Sequence, residues 1–470
     1  MAVDTDYGGA AGRNFWRDDA ALRAAVERRL APAERSRTLE ALDAAGALAG
    51  GRLSSLIEES HRDAKLPTLT RYDRWGARVD RIEYAPEQVE ARRLAMGLGL
   101  LPPTPLLERM AKAVLLNYNG EGGITCPLAM TDGLVQLLEA HGTPEQKRRW
   151  LPLALDSSVD TPLTGGQFVT ERQGGSNVSE NETRAAPAPD GTWLLMGLKW
   201  FCSNPGELWV TTAKPAGSDA VALFLVPRRR PDGGLNDAHI LRLKDLSGTR
   251  GKATGEVEYR GAYAELIGRP SRGLALLLGT VLKTSRIGVG GAALGFAGRA
   301  ILEARLYAEA RVVLGRKVAD LGHAKAELAA MERARDRGVA AYFAMLDAVE
   351  AGDPAEDVLV PLLKVSLSKM GTDIVRRARL ILAGNATLRD FSILPRLAED
   401  ALIQEIWEGT HPILASHVDK ALRRPASRAA FLKRLKAGPR RGLEERLAAP
   451  GGQEALCDAA YAALAASLDT

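Results

Sequence analysis

The chain has 470 residues, of which 46% are hydrophobic and only 5% aromatic, and its formal net charge is +5. That length suggests about three domains, and a core built from Leu, Ala and Val rather than aromatics favours helices. Three cysteines, Cys126, Cys202 and Cys457, without a CxxC pair exclude a disulfide framework and a structural zinc site, and they fit a reducing cytoplasm. Residues 1–6 are polar and acidic, unlike a signal peptide, and the most apolar stretch, 273–282, is too short to span a bilayer. A soluble cytoplasmic protein with no membrane association is expected.

Residues 14–160 read as helical, with apolar positions at helical spacing over 20–30, 39–57, 87–100, 106–118 and 128–140. Thr143-Pro144-Glu145-Gln146 predicts a helix start: Thr143 caps, Pro144 suits the first position and Gln146 completes a capping box. From about 161 to 270 short β-prone runs appear, at 193–200, 208–212, 221–226 and 255–259, the first entered through the turn pair Asp190-Gly191. Helical periodicity returns over 274–313, 318–349, 356–381 and 396–422, which predicts a four-helix bundle. The expected organisation is a helical domain at 1–160 with an extra N-terminal arm, a β domain at 161–270, a bundle at 271–424 and a basic, then alanine-rich helical tail at 425–470. Between 420 and 441, Lys420, Arg423, Arg424, Arg428, Lys433, Arg434, Lys436, Arg440 and Arg441 follow one another with no acid between them. Such a run either attracts a polyanion such as double-stranded DNA or is a solvated helix surface.

Four segments could carry chemistry. In Thr170-Glu171-Arg172-Gln173-Gly174-Gly175-Ser176-Asn177 the paired glycines let backbone N–H groups approach an anion, and Ser176 adds a hydroxyl; the same sequence is also an ordinary loop. In Lys199-Trp200-Phe201-Cys202-Ser203-Asn204 a flat ring could stack on Trp200 while Ser203 reaches its heteroatoms, unless Trp200 is simply core. Arg311 precedes an expected helix end at Gly315 and can fork onto phosphate oxygens. In Ile406-Trp407-Glu408-Gly409-Thr410 a carboxylate beside an indole should be partly desolvated and so suited to proton abstraction, with Gly409 leaving room for a substrate.

Two patterns mislead. Gly288-Val289-Gly290-Gly291-Ala292-Ala293 approaches a dinucleotide fingerprint but has no strand before it, so close helix packing is expected instead. Glu58-x-x-His61 with Glu408-x-x-His411 imitates a di-iron pair, but Gly409 and Pro412 break the helix that would present the second half, and no metal is expected.

Taken in order over about 91–420, these segments resemble the acyl-CoA dehydrogenase family. The resemblance implies a mainly α fold with a β domain: an N-terminal helical domain, a central β-barrel-like domain and a C-terminal four-helix bundle, assembled as a homotetramer that holds FAD. It places flavin contacts at Phe168, Thr170, Gly175 and Ser176, and at Trp200, Cys202 and Ser203 of the stacking strand. Arg311 matches the arginine that reaches a neighbouring subunit's FAD, with Leu314 at the cofactor-binding position beside it, Gly384-Asn385 falls on the adenine side, and Thr410 completes the set. Ser176, Arg286, Glu408 and Gly409 would meet the acyl thioester. Glu408 stands where the family has its catalytic base; the alternative position in some members, before the arginine of the first bundle helix, is Ser285 here. The implied reaction is α-proton abstraction by Glu408 with hydride transfer from the β-carbon to flavin N5.

Residues 71–80, RYDRWGARVD, and 121–131, EGGITCPLAMT, resemble the alkylation-response, AidB-like branch, as do Leu243-Lys244-Asp245 and Gly248-Thr249-Arg250. That branch implies weak dehydrogenase activity and DNA association through the basic segment 420–441. The sequence departs from the family where Cys202 replaces a threonine, Leu314 an aromatic residue and Glu399 the arginine before Asp400. Three readings stay open: an acyl-CoA-type dehydrogenase, a DNA-associated flavoprotein with little turnover, and a biosynthetic enzyme acting on a carrier-bound acyl group.

Overall fold

The computed structural model describes residues 7–156, 163–448 and 451–468. The chain divides into two compact units, one of Met1–Ser55, Pro105–Glu121 and Arg286–Thr470, the other of Leu56–Thr104 and Gly122–Ser285. The helices before residue 160 are thus divided between the two units.

The second unit is built on strands β3 (Gly165–Phe168), β4 (Arg184–Pro187), β5 (Trp193–Ser203), β6 (Leu208–Pro215), β7 (Ala222–Pro227), β8 (Ala238–Leu243) and β9 (Thr254–Ile267); β1 (Thr68–Tyr72) and β2 (Arg78–Glu83) form a separate hairpin. The pairings run β6–β4–β5–β9–β7 and return to β6, so the sheet closes into a barrel, with β3 added on β6 and β8 on β9. Closure removes the open edges that such apolar strands would otherwise expose. The tight connection at Asp190-Gly191 joins β4 to β5, whose register pairs Pro187 with Trp193. Phe168, Leu195, Cys202, Trp209, Phe224 and Tyr259 fill the interior. Strands β6 and β7 are buried on both faces. Their outer residues Leu208, Val210, Leu223 and Leu225 pack against Leu134, Leu138 and Trp150 of the helices Thr125–His141 and Pro144–Leu155. The second of these helices starts with the expected capping box from Thr143 to Gln146.

Hairpin β1–β2 corrects the expectation of helix throughout 14–160. Its strands hold few apolar residues, Leu69 and Tyr72 in one and Val79 and Ile82 in the other, three apart in each, so no period of two marks them. The hairpin is anchored where Arg78 donates to the Asn236 carbonyl (2.5 Å) and Asp80 accepts from Ile240 N (3.2 Å). Trp75, near its tip, is 81% exposed.

The first unit is a helical bundle of Gly322–Glu350, Glu356–Leu382, Leu394–Ile406, His411–Arg423 and the part of Leu282–Ala310 from Arg286 onward. Phe296, Ile301, Tyr307, Met331, Ile374 and Leu397 are among its core residues. The N-terminal helix Ala20–Glu27 packs on Gly322–Glu350, and the final helix Gln453–Leu468 packs on both Gly322–Glu350 and His411–Arg423. Asp19, Arg335 and Tyr118 form a buried ionic cluster between these layers.

Gly290 and Gly291 lie in the middle of the long first helix, where an added Cβ would come within 3.1 Å and 2.8 Å of the Tyr342 side chain, and at Gly295 within 2.5 Å of the Val114 carbonyl. The glycine run is therefore a surface for close helix packing. Two predicted helices are interrupted. The stretch 274–313 carries a wider π-type turn at Leu277–Val281 and ends at Ala310, where a short hairpin of Val312–Val313 and Arg316–Lys317 begins. Leu314 (φ 52°) and Gly315 (φ 75°) turn it, and both positive φ values match a tight hairpin rather than a helix end. The stretch 396–422 is two helices, separated by Trp407–Thr410. By length and composition Pro270–Ala310 could cross a bilayer, against the expectation from 273–282 alone, but 94% of its apolar window is buried inside the protein.

Candidate active site

The candidate site residues fall into a set within each unit. In the barrel unit, the loop after β3 and the strand carrying Trp200 are joined by a backbone hydrogen bond from Trp200 N to the Thr170 carbonyl (2.8 Å). A buried ion pair reinforces the joint: Lys199 Nζ lies 2.7 Å from Glu171 Oε1 and donates to Thr212 Oγ1 (3.2 Å). Glu171 also accepts from Thr183 Oγ1 (2.6 Å) and from Glu182 N (2.6 Å). Burial pushes the Glu171 carboxyl up, but the Lys199 ammonium and these donors outweigh it and hold the carboxyl at about 2. A Cβ at Gly175 would collide with Thr170 Oγ1, so a glycine lets this loop close on itself. Ser176 is exposed, Ser203 is half-buried with Oγ 3.3 Å from Thr254 Oγ1, and Trp200 is half-buried.

Two cations flank the Trp200 ring: Lys244 Nζ lies 3.5 Å from its centroid and the Arg172 guanidinium carbon 5.3 Å. Lys244 is itself paired with Glu256 at 2.9 Å. The loop glycine, the exposed Ser176 hydroxyl and a partly exposed indole between cations fit a flat cofactor carrying phosphate, so FAD is compatible with the residues present. The Phe168 and Cys202 side chains turn inward. Phe168 stacks on Trp209 in the barrel interior with ring centroids 5.0 Å apart, and Cys202 is fully buried with Sγ 3.5 Å from the Lys199 carbonyl. The irregular register between Lys199 and Cys202 puts both side chains inside while Trp200 and Phe201 face outward. Neither Phe168 nor Cys202 offers a side chain to a ligand.

In the bundle unit, Arg311 and Asn385 meet at one residue. Arg311 N donates to the Tyr307 carbonyl (2.8 Å), and Asn385 Nδ2 donates to Tyr307 Oη (3.2 Å). Gly384 is exposed, and Leu314 at the hairpin tip is 98% exposed. Helix Leu394–Ile406 ends at Trp407, whose indole donates to Gln404 Oε1 (3.1 Å), and Thr410 N-caps the next helix with Pro412 in its first turn. Glu408 therefore sits in a four-residue link, at φ 58°. That left-handed conformation costs a non-glycine residue about 1–2 kcal/mol, and Gly409 follows at φ 106° with Leu414 close behind it.

Buried cations hold the link. Arg286 Nε donates to the Glu408 carbonyl (3.0 Å), and Lys364 Nζ donates to the Glu405 (3.0 Å) and Gly409 (2.8 Å) carbonyls. Arg286 is 8% exposed, so its Nε is committed to the loop backbone rather than presented to a substrate. Burial drives the Lys364 ammonium down to about 7, against the pull of the Glu408 carboxylate. Ser285, in the barrel unit, accepts from Gln167 Nε2 (3.1 Å) and has no carboxylate to serve as a base. Lys364 and the Glu171–Lys199 pair escape a reading by motif. The available signal was a lone lysine in the apolar run 358–365, VLVPLLKV.

A helical region, a closed barrel and a helical bundle with a carboxylate between two of its helices make up the acyl-CoA dehydrogenase fold. Residues 271–423 match the acyl-CoA dehydrogenase C-terminal domain, 166–262 the acyl-CoA dehydrogenase middle domain, and 9–161 the adaptive response protein AidB N-terminal domain. Acyl-CoA dehydrogenase family member 11 of Caenorhabditis elegans is 30% identical over 438 residues, covering 86% of this chain and 70% of that protein. The putative acyl-CoA dehydrogenase AidB of Escherichia coli is 30% identical over 385 residues, covering 77% and 70%. The crystal structure of C. elegans ACDH-11 in complex with C11-CoA superposes with a TM-score of 0.90 at 25% identity, covering 98% of this chain and 88% of that one. The chain belongs to the acyl-CoA dehydrogenase family and carries the AidB N-terminal domain.

Proposed function

We infer that this protein oxidises an acyl-CoA-type thioester across its α,β bond with FAD, and that Glu408 removes the α-proton. The observation that carries this reading is the setting of Glu408: a strained residue in a short link whose carbonyls are held by Arg286 and Lys364. Backbone strain maintained by the surrounding structure is typical of functional positions. FAD, when bound, supplies the acceptor for the β-hydride. Trp200 and the Thr170–Ser176 loop orient the ring and the phosphates, and Arg172 and Lys244 place positive charge beside the indole. The C11-CoA held by the nematode relative supports a CoA thioester with an acyl tail as substrate. A homotetramer in the cytoplasm belongs to the same proposal. The test is anaerobic reduction of the flavin band by an acyl-CoA panel that includes C11-CoA. Wild type should bleach, and Glu408→Gln should be slower by about 10²–10⁴-fold, as for loss of a general base. A fully active Glu408→Gln would sink the reading.

The AidB N-terminal match over 9–161 favours a second reading, a DNA-associated flavoprotein with little turnover. The measurement for it is salt-dependent duplex binding by the full chain.

A further inference from the structure

We propose that Lys364 is the positioning residue of the base: its ammonium ties the two ends of the Glu408 link together and so holds the carboxylate in place. The inference rests on the reading of Glu408 as the base.

The geometry is specific. Lys364 lies on the helix Glu356–Leu382, fully buried among Leu362, Leu363 and Val365. Nζ reaches across to the Glu405 carbonyl, at the end of one helix, and the Gly409 carbonyl, just before the next. These two acceptors bracket Trp407 and Glu408. The contacts therefore fix the span of the link, while Arg286, from the helix Leu282–Ala310, fixes its middle at the Glu408 carbonyl. A helix terminus leaves its last carbonyls without partners, and an apolar helix would satisfy neither of them. A buried lysine is costly unless its charge is matched. The charged groups that act on it are Glu408 and Glu405, which favour the ammonium, and Arg286, which opposes it. His411, on the following helix, sits beside Ser368 (3.3 Å) and Glu405 (3.7 Å) and has its own pKa lowered, by burial first and by Lys364 second. Glu408 is the acid of this group that stands on the link itself.

The experiment uses the full-length, flavin-loaded protein and C11-CoA. Solvent deuterium uptake at the α-carbon is followed by mass spectrometry from pH 5 to 9 in wild type, Lys364→Met, Lys364→Gln, Lys364→Arg and Glu408→Gln, alongside each variant's melting temperature. Lys364→Met, which leaves both carbonyls without this donor, should exchange at least about tenfold more slowly across the range. Lys364→Gln, which keeps amide donors, should recover orientation and hence most of the rate. Lys364→Arg, which also keeps N–H donors, should recover part of the rate. A folded Lys364→Met with the wild-type profile overturns the proposal, and so does failure of all three variants to fold, which would make Lys364 a purely structural residue. If Glu408→Gln exchanges as fast as wild type, the base assignment itself is wrong, whatever the lysine variants do.

Discussion

Glu171 shows how a residue in a candidate ligand loop can serve that loop from the inside. Its carboxylate faces Lys199, Thr183 and the Glu182 amide, and it leaves the outward positions to Thr170 and Ser176. Replacing it by Gln strands the Lys199 ammonium in a fully buried position, and breaking one half of a buried pair costs about 3 kcal/mol. We expect Glu171→Gln to lose about that much in urea denaturation and to weaken retention of FAD by freeing the loop from the Trp200 strand. The pH dependence has a definite sign. The folded carboxyl is held at about 2, below its ordinary 4.5, so its contribution is complete above the unfolded value and fades as the pH falls from 4.5 towards 2. Wild type should therefore show a steeper loss of melting temperature in that window than Glu171→Gln. The sequence marked this loop and this strand as chemistry-bearing but did not show that the Phe168 and Cys202 side chains turn inward. A strand's inward and outward faces follow from its register, and the irregularity between Lys199 and Cys202 cannot be read from residue types.

Elements whose apolar pattern is uninterrupted were the legible ones. The helices over Gly322–Glu350 and Glu356–Leu382, the capped helix from Pro144 and the main runs of the barrel lie within a few residues of where periodicity puts them. The illegible parts are those in which a local pattern yields to a distant contact. Hairpin β1–β2 is pinned through Asp80 and Arg78 to residues about 160 positions away in sequence. The link at Trp407–Thr410 is held by a lysine on another helix. The glycine-rich segment was legible in kind, as helix packing, but not in its partners. Gly295 is the sharpest case: a methyl group there would lie 2.5 Å from the Val114 carbonyl and 2.6 Å from Asn117 Cβ, and neither is the end of a flexible side chain. Gly295→Ala should lower the melting temperature clearly despite the better helix propensity of alanine, because overpacking of this kind costs about 1–3 kcal/mol. Gly279→Ala, in open space, is the control.

Across the whole molecule, the basic run 420–441 is less bare than its sequence. Folding brings Asp419 to Arg423 (3.0 Å), Asp357 to Arg424 (2.9 Å), Asp353 to Arg434 (2.6 Å) and Glu444 to Arg440 (3.1 Å). Lys420, Arg428, Lys433 and Arg441 have no ion-pair partner among the described residues. If these four alone met phosphates, the log–log salt slope of duplex binding would be about −3.6. Fluorescence anisotropy between 50 and 200 mM salt should give a slope no steeper than that; a steeper one would mean that the ion pairs open on DNA.

The small hairpin Val312–Lys317 has a practical consequence for handling the protein. It is held by two residue pairs, a hydrogen bond from Val318 N to the Arg311 carbonyl and one from Arg316 to the Asp320 carbonyl, its tip carries an exposed leucine, and Arg311, Arg316 and Lys317 are trypsin sites within and beside it. A segment so weakly tethered opens cheaply, and an isolated chain should be nicked there early in a digest. Resistance to that nick at high protein concentration, lost on dilution, would report that another copy of the chain covers the hairpin.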